Sequence, residues 1–357
     1  MEIIDLLQVS EERKASDLIL TVGVPPVLRI DKRIVQTNME ILSQEEVKRL
    51  IFSLLNKDQI EKFEKDRELN FAYSAPGIAR FRSNLFYQRN SIAAALRRIP
   101  FEIASLEQLK LPVEPLKKLA NLKSGLVIIS GPVGSGKSTT LAAMVEYINT
   151  EKETHIITIE DPIEYLFRHK KSVIEQREIP SDTHSFPTAL KNVMRQNPDV
   201  VLIGEMRDRE TVETSISAAE TGALVLATLH APSASEVINR IIDFFPAQHQ
   251  PQIRAQLSST LAGVISQVLI PVPTQKGLVV ACEVLLALPS VRTIIREGNT
   301  HQLQNVIETS SKYGMQSMDQ VLLELHRQKL ISNEDLIYHI HDRERDEIKQ
   351  IIFDEIF

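Results

Sequence analysis

The sequence predicts an α/β protein in two parts: a small α+β domain over residues 1–100, then a larger domain built on an open sheet covered by helices on both faces. Three observations carry that prediction. Short strand-like runs cluster before residue 100 around one clearly helical block. From Leu126 the rhythm changes to continuous apolar runs alternating with helical patterns. One of those runs leads through a glycine-rich loop straight into a helix.

In the first domain, DLILTV, VLRI, LNFAYS, ARFRSNLFYQ and SIAAALRRI read as strands. FAYSAPGIARFR reads as two of them joined by a Pro-Gly turn, which implies an antiparallel sheet. The helical block opens SQEEVKRLIFSLL, with Ser43 and Glu46 spaced as a capping box ahead of apolar residues at helical intervals. FEIASLEQLKLPVEPLKKLANLKSG, with its two prolines and polar helical stretches, serves as the connection, giving a linker over 101–122 and a second domain over 123–357. There LVIIS, HIITI, DVVLIG, ALVLATL and LVVACEVLLAL are too uniformly apolar for a half-exposed sheet and fit one covered on both faces. From about residue 288 the pattern is helical, in PSVRTIIREG, THQLQNVIETSS, MQSMDQVLLELHRQ and SNEDLIYHIHDRE.

Composition narrows the function. With 43% hydrophobic and 25% charged residues, the 357-residue chain is an ordinary soluble type with room for two or three domains. Its net charge of −6 gives no global basic footprint, which disfavours a sequence-independent nucleic-acid binder. The single cysteine, Cys282, permits no internal disulfide and sits in an apolar run, where it reads as a small buried residue rather than a nucleophile. MEIIDLLQVSEERKASDL lacks the basic start and apolar core of a signal peptide, and LAGVISQVLIPVP is too short and polar to cross a bilayer. The expectation is a cytoplasmic protein without a transmembrane segment, whose membrane association comes through a partner.

The strongest chemical signal is LVIISGPVGSGKSTT. Gly131, Val133, Gly134, Ser135 and Gly136 form a phosphate loop that lets successive backbone N–H groups and the helix N-terminus face negative oxygens. Lys137 is placed to reach the β- and γ-phosphates, Ser138 to ligate Mg²⁺, and Thr139 follows in the helix. A nucleotide triphosphatase also needs carboxylates for the magnesium shell and for the attacking water. HIITIEDPIEY offers Glu160, Asp161 and Glu164, and RQNPDVVLIGEMRD offers Glu205, so four acids compete for two roles and spacing does not assign them. ALVLATLHA brings His230 to a third strand end, as a structural histidine or as a polar neighbour of the loop. Arg80, Arg82, Arg89, Arg97, Arg98, Arg195, Arg207 and Arg209 are candidate phosphate contacts, because the guanidinium fork binds oxygens bidentately and stays charged.

With the phosphate loop, TIEDPIEY, GEMRD and AAETGALVLATLHA in that order, the chain resembles the secretion ATPases, specifically the PilT family of type IV pilus retraction motors. ASDLILTVGVPPVLRID near the start, and SVRTIIREGNTHQLQ and YGMQSMDQVLLEL near the end, extend the resemblance over nearly the whole chain. The resemblance implies a PAS-like N-terminal domain followed by a RecA-like P-loop ATPase domain with a helical C-terminal part. It also implies a homo-hexamer that hydrolyses ATP with Mg²⁺ and acts on an inner-membrane pilus platform protein. On the matching positions, Glu164 takes the part of general base, Glu205 acts with Ser138 on the magnesium shell, and His230 is the histidine of the His box. Arg82 and Arg97 fall where first-domain arginines reach the γ-phosphate; Lys191 and Arg195 match a second basic pair.

Three positions depart from the family pattern: ETGA with Ala223 where ETGH is usual, Lys191 where arginine is common, and SVRTIIRE for the usual AIRNLIRE. Other readings are an accessory paralogue of the PilU kind, or a nucleotide-binding adaptor in a mixed ring with another pilus ATPase. Extension and type II secretion motors, which share the core boxes, usually carry a longer N-terminal region and a four-cysteine zinc module, which this chain with one cysteine cannot build. A RecA-like nucleic-acid motor finds no aromatic and basic platform here.

Overall fold

Alternating buried and exposed residues and a tight Pro-Gly turn build the first sheet. In the computed structural model, which describes residues 1–30, 33–99, 102–273 and 277–340, the N-terminal elements are α1 (Ile3–Glu12), β1 (Asp17–Leu20), β2 (Val27–Ile30), β3 (Arg33–Gln36), α2 (Gln44–Phe52), α3 (Lys57–Asp66), β4 (Glu68–Ala75), β5 (Ala79–Gln88) and β6 (Ser91–Ile99). The six strands form one antiparallel sheet in the order β3-β2-β1-β6-β5-β4. Ile78 N donates to Ala75 O across the Pro76-Gly77 turn, which sets the β4–β5 register. On β5, Ala79, Phe81, Ser83 and Leu85 face inward while Arg82 faces out. The Ser43–Glu46 capping box forms as the spacing predicts, with Glu46 N donating to Ser43 Oγ and Ser43 N to Glu46 Oε2. Two further helices join α2. The amphipathic N-terminus is α1, and α3 opens on its own capping box, Asn56 with Gln59.

The second part carries α4 (Val113–Ala120), β7 (Gly125–Ser130), α5 (Lys137–Glu151), β8 (His155–Glu160), β9 (Val173–Glu178), α6 (Phe186–Val193), β10 (Val200–Ile203), α7 (Arg209–Glu220), β11 (Leu224–Leu229), α8 (Ala234–Asp243) and α9 (Gln250–Thr260). It continues with β12 (Leu261–Pro271), β13 (Leu278–Leu286), α10 (Pro289–Glu297), α11 (Leu303–Thr309), α12 (Met318–Arg327) and α13 (Asn333–His339). The sheet order is β13-β12-β7-β11-β10-β8-β9, with every neighbouring pair parallel except β12 and β13. Strands β7, β10 and β11 are buried at every residue, as expected of a sheet covered on both faces.

LVVACEVLLAL joins this sheet as β13, an antiparallel strand at its edge. It stays buried because Met318 and Leu322 of α12 and Leu336 of α13 pack with Ile270, Val279 and Ala281 in a small satellite core. LAGVISQVLIPVP, weighed above only against a membrane span, supplies β12. The opposite edge strand, β9, is the charged VIEQRE, whose polarity hides a strand pattern and keeps an exposed edge soluble.

By its contacts the chain divides into two units, Met1–Glu102 with Glu164–Leu166 and Ile103–Ile163 with Phe167–Phe357. Phe101 at the start of the expected linker, the end of the helix expected in SNEDLIYHIHDRE, and the remaining tail to 357 lie outside the described residues.

Candidate functional site

Parallel strands end together, and here four of them end in polar residues. The neighbours β7, β11, β10 and β8 run in register, with Ser130 opposite Leu229, Ala227 opposite Ile203, and Ile203 opposite Ile159. The next residues along each chain, Gly131, His230, Gly204-Glu205 and Glu160-Asp161, therefore gather at one edge, where ligands bind in open α/β sheets.

The phosphate loop turns from β7 into α5 through glycines in left-handed backbone conformations. A Cβ on Gly131, at φ +138°, would stand 2.2 Å from Gln267 O and 2.7 Å from Ser135 Oγ, so no other residue fits there. Gly136, at φ +87°, caps the start of α5. Val133 and Gly134 are exposed at the tip and Ser135 is buried beneath it. Ser138 is exposed in the first turn of α5, with Thr139 beside it.

Lys137, only 8% exposed, lays its ammonium across the loop, donating to Gly131 O at 3.0 Å and Pro132 O at 2.8 Å. Its Nζ also lies 3.3 Å from His230 Nδ1. The same Nδ1 lies 3.3 Å from Gly131 O, so the ring meets the loop as an acceptor from Lys137 or as a donor to that carbonyl, according to its tautomer. Nε2 faces Glu205 Oε1 at 3.3 Å. Arg207 Nε donates to Glu205 Oε2 at 2.7 Å, and Arg207 NH1 approaches Asp161 Oδ2 at 3.8 Å. Lys137, His230, Glu205, Arg207 and Asp161 thus form one continuous polar chain along the edge.

The other expected residues are placed less centrally. Glu160 accepts from Thr158 Oγ1 at 2.7 Å and Gln176 Nε2 at 3.1 Å, which makes it a local strut. Glu164 is exposed, makes no hydrogen bond or ion pair among the described residues, and belongs to the segment grouped with the first unit. Arg195 is exposed in a short turn after α6, and Lys191 pairs with Glu210. In the first unit Arg82 and Arg97 stand directly opposite each other on β5 and β6, with Arg97 Nε on Asp17 Oδ1 at 2.9 Å. Arg98 is tied to Ala15 O and Glu11, so its role is structural.

Ala223, the departure from ETGH, lies at the start of β11, at the far end of the strand from His230. Six residues of strand separate the two, about 20 Å. Arg292 of SVRTIIRE donates to Ser258 O and Ser259 O, both at 2.6 Å, and so satisfies carbonyls at the end of α9. Burial pushes the Cys282 thiol up to about 12, in keeping with its reading as an inert core residue.

Sequence reading missed three buried groups that brace this edge. Ser130 Oγ donates to Ala231 O and accepts from Ala231 N, fixing the segment after β11. Glu283 on β13, 1% exposed, accepts from Ala234 N at 2.7 Å and holds the start of α8. Gln267 on β12 reaches the phosphate loop itself. Their signal was present: polar residues inside apolar strand runs are buried, and buried polar groups need partners.

The residues suit a magnesium nucleotide. Mg²⁺ keeps several waters and takes one or two protein oxygens together with phosphates. Exposed Ser138 and the carboxylate of Glu205 provide such oxygens, and among the described residues no group of three or more His, Cys, Asp or Glu forms a metal cage. Beside the first turn of α5 opens an apolar pocket of about 290 Å³, lined by Leu109, Leu111, Thr139, Leu269 and Val280.

Comparison with known proteins agrees with this geometry. The family described as "Type II/IV secretion system protein" matches residues 77–356. The chain is 46% identical to the "Type IV pilus ATPase PilU" of Pseudomonas aeruginosa over 95% of its own length and 88% of that protein's. It is 42% identical to the same organism's "Type IV pilus retractation ATPase PilT", covering 94% and 96%. Among solved structures, that of the pilus retraction motor PilT with bound ADP matches with a TM-score of 0.86 and 44% identity, over 96% of this chain and 98% of that one. The PAS-like and RecA-like fold implied by the resemblance is therefore the fold of this chain. The chain belongs to the Type II/IV secretion system ATPases, within the group of pilus ATPases that contains PilT and PilU.

Proposed function

We propose that this chain is the subunit of a hexameric motor that hydrolyses ATP to drive type IV pilus retraction, the withdrawal of pilin that underlies twitching motility. The polar chain from Lys137 through His230 to Glu205, set beside a phosphate loop, is the observation that carries the reading. The loop amides and the N-terminus of α5 hold the phosphates, with Lys137 turning from the loop carbonyls toward them. The apolar pocket by Thr139 receives the base. Ser138 and Glu205 would hold the Mg²⁺ that accompanies the nucleotide, which would supply neutralisation of phosphate charge. Glu164, exposed and without a hydrogen bond or ion pair among the described residues, takes the proton of the attacking water. Arg82, Arg97 and Arg195 stabilise the developing negative charge in the assembled ring. The motor works in the cytoplasm against an inner-membrane platform protein.

Steady-state hydrolysis by the purified chain tests this. Glu164→Gln is expected to lower turnover on the order of 10²- to 10⁴-fold while ATP binding persists. Turnover at the parental rate would move the base elsewhere.

A second reading, an accessory paralogue working in a mixed ring, is favoured by the higher identity to PilU, 46% against 42% to PilT. Negligible turnover by the isolated chain, restored on mixing with a second pilus ATPase, selects it. Deleting the gene then reads direction: hyperpiliated, non-motile cells mean retraction, and bald cells mean extension.

A further inference from the structure

Gln267 stands in β12 with 1% of its surface exposed, and both ends of its amide are engaged at the phosphate loop. Nε2 donates to Ser135 O at 2.6 Å, and Oε1 accepts from Thr140 Oγ1 at 2.9 Å. The orientation of the amide is fixed by its partners, since a backbone carbonyl can only accept. The main chain of the same residue closes on the loop's first glycine, where Gln267 O blocks any side chain on Gly131. One residue of a neighbouring strand therefore touches the loop at its beginning and near its end, and also grips the helix that follows.

We infer that Gln267 is a positioning residue for the phosphate loop, one that fixes the peptide between Ser135 and Gly136 so that the Gly136 N–H is presented to an anion. A trans peptide is planar, with its C=O and N–H pointing in opposite directions. Holding Ser135 O toward β12 turns the Gly136 N–H away from β12. Gly136, in the left-handed region at φ +87°, has a conformation that glycine leaves easily unless something holds it. The Ser135 carbonyl, which can only accept, keeps the glutamine amide from flipping, and the Thr140 hydroxyl, donating to Oε1, ties the other end of the amide to α5. Only a side chain that both donates and accepts satisfies the two partners. Leucine fills the space and satisfies neither. Glutamate keeps Thr140 and places an acceptor, charged when ionised, against the Ser135 carbonyl.

The inference rests on the nucleotide-binding reading, and the experiment separates the two. ADP is titrated calorimetrically into the parental chain, Gln267→Leu, Gln267→Glu and Thr140→Ala, with thermal melting in the absence of nucleotide as a folding control. Parental binding with about tenfold weaker binding by both Gln267 variants is the expected result. Thr140→Ala, which keeps the bond to Ser135 O but unties the other end of the amide from α5, is expected to lose about threefold. In steady state KM for ATP in the Gln267 variants rises by a larger factor than kcat falls, because substrate must then order the loop as it binds. Parental ADP affinity in any Gln267 variant that melts like the parent overturns the inference, as does parental affinity in Thr140→Ala should both Gln267 variants fail to fold. A parental chain that binds no ADP overturns the nucleotide reading instead.

Discussion

The two sheets of this protein present charge in different ways. In the antiparallel sheet of the first unit one face is buried, and the other carries a row of charges across four strands: Arg29 on β2, Asp17 on β1, Arg97 on β6 and Arg82 on β5, each opposite the next. In the parallel sheet of the second unit both faces are buried, so β7, β10 and β11 expose nothing along their length and polar chemistry is confined to their ends. A solvated face keeps its side chains nearly independent. A strand-end edge forces them into contact, as Lys137, His230 and Glu205 are. Substitutions on the face should therefore act singly and weakly, and those at the edge strongly and together.

The largest effect belongs to the edge. Lys137→Ala removes an ammonium that holds two loop carbonyls and, in the proposed function, the phosphates; hydrogen bonds to charged groups contribute about 1.5–3 kcal/mol. Nucleotide affinity is expected to fall by about 10- to 100-fold. His230→Ala weakens binding less, and the double variant should lose less than the sum of the two, because each single change already breaks the same chain. Additive losses in a binding cycle would mean that the edge residues are as independent as those of the face.

That edge was legible in the sequence to the extent that its residues follow apolar runs. Glycine spacing exposed the loop, and Glu205 and His230 announced themselves as polar residues following the apolar runs DVVLIG and ALVLATL. What braces the edge was legible only as polar residues within apolar runs, without their partners. Gln267 and Glu283 lie inside β12 and β13 and depend on those strands joining the sheet beyond β7, while Ser130, at the end of β7, depends on β11 lying beside it; the bonds from Ser130 to Ala231 and from Gln267 to Ser135 join residues more than 100 apart in the chain. The first sheet was easier to read, because the Pro-Gly turn and period-two alternation are local. Its missed helices, α1 and α3, are short amphipathic segments, and α3 buries only Phe63 fully. Roles for the four competing acids needed geometry: Thr158 and Gln176 engage Glu160, while Glu164 stays unengaged among the described residues.

On the face, Asp17 is the one member of the row with a buried side chain, 10% exposed between Arg97 and Arg29 at 70% and 40%. Asp17→Asn keeps an acceptor for Arg97 and loses only charge, so after allowing for solvent screening at the exposed arginines the first unit should lose about 1 kcal/mol in denaturant unfolding. A loss several times larger would show that the row is a coupled network and not a set of solvated residues.

Arg82 sharpens the contrast furthest, because its expected effect on stability is the smallest and has the opposite sign. It faces Arg97 directly across the strand pair, and like charges so placed are destabilising. Arg97 leans onto Asp17, which relieves the repulsion in part. Replacing Arg82 with threonine, a good strand former, should therefore raise the first unit's stability by a few tenths of a kcal/mol, and the gain should shrink as salt screens the pair. If Arg82 meets phosphate in the assembled motor, turnover should fall by about tenfold or more in the same variant. Stability and turnover moving in opposite directions identifies a charge kept for function at a cost to the fold. A variant that loses both would instead make Arg82 a structural member of the sheet, and the face would have to be read as the edge is.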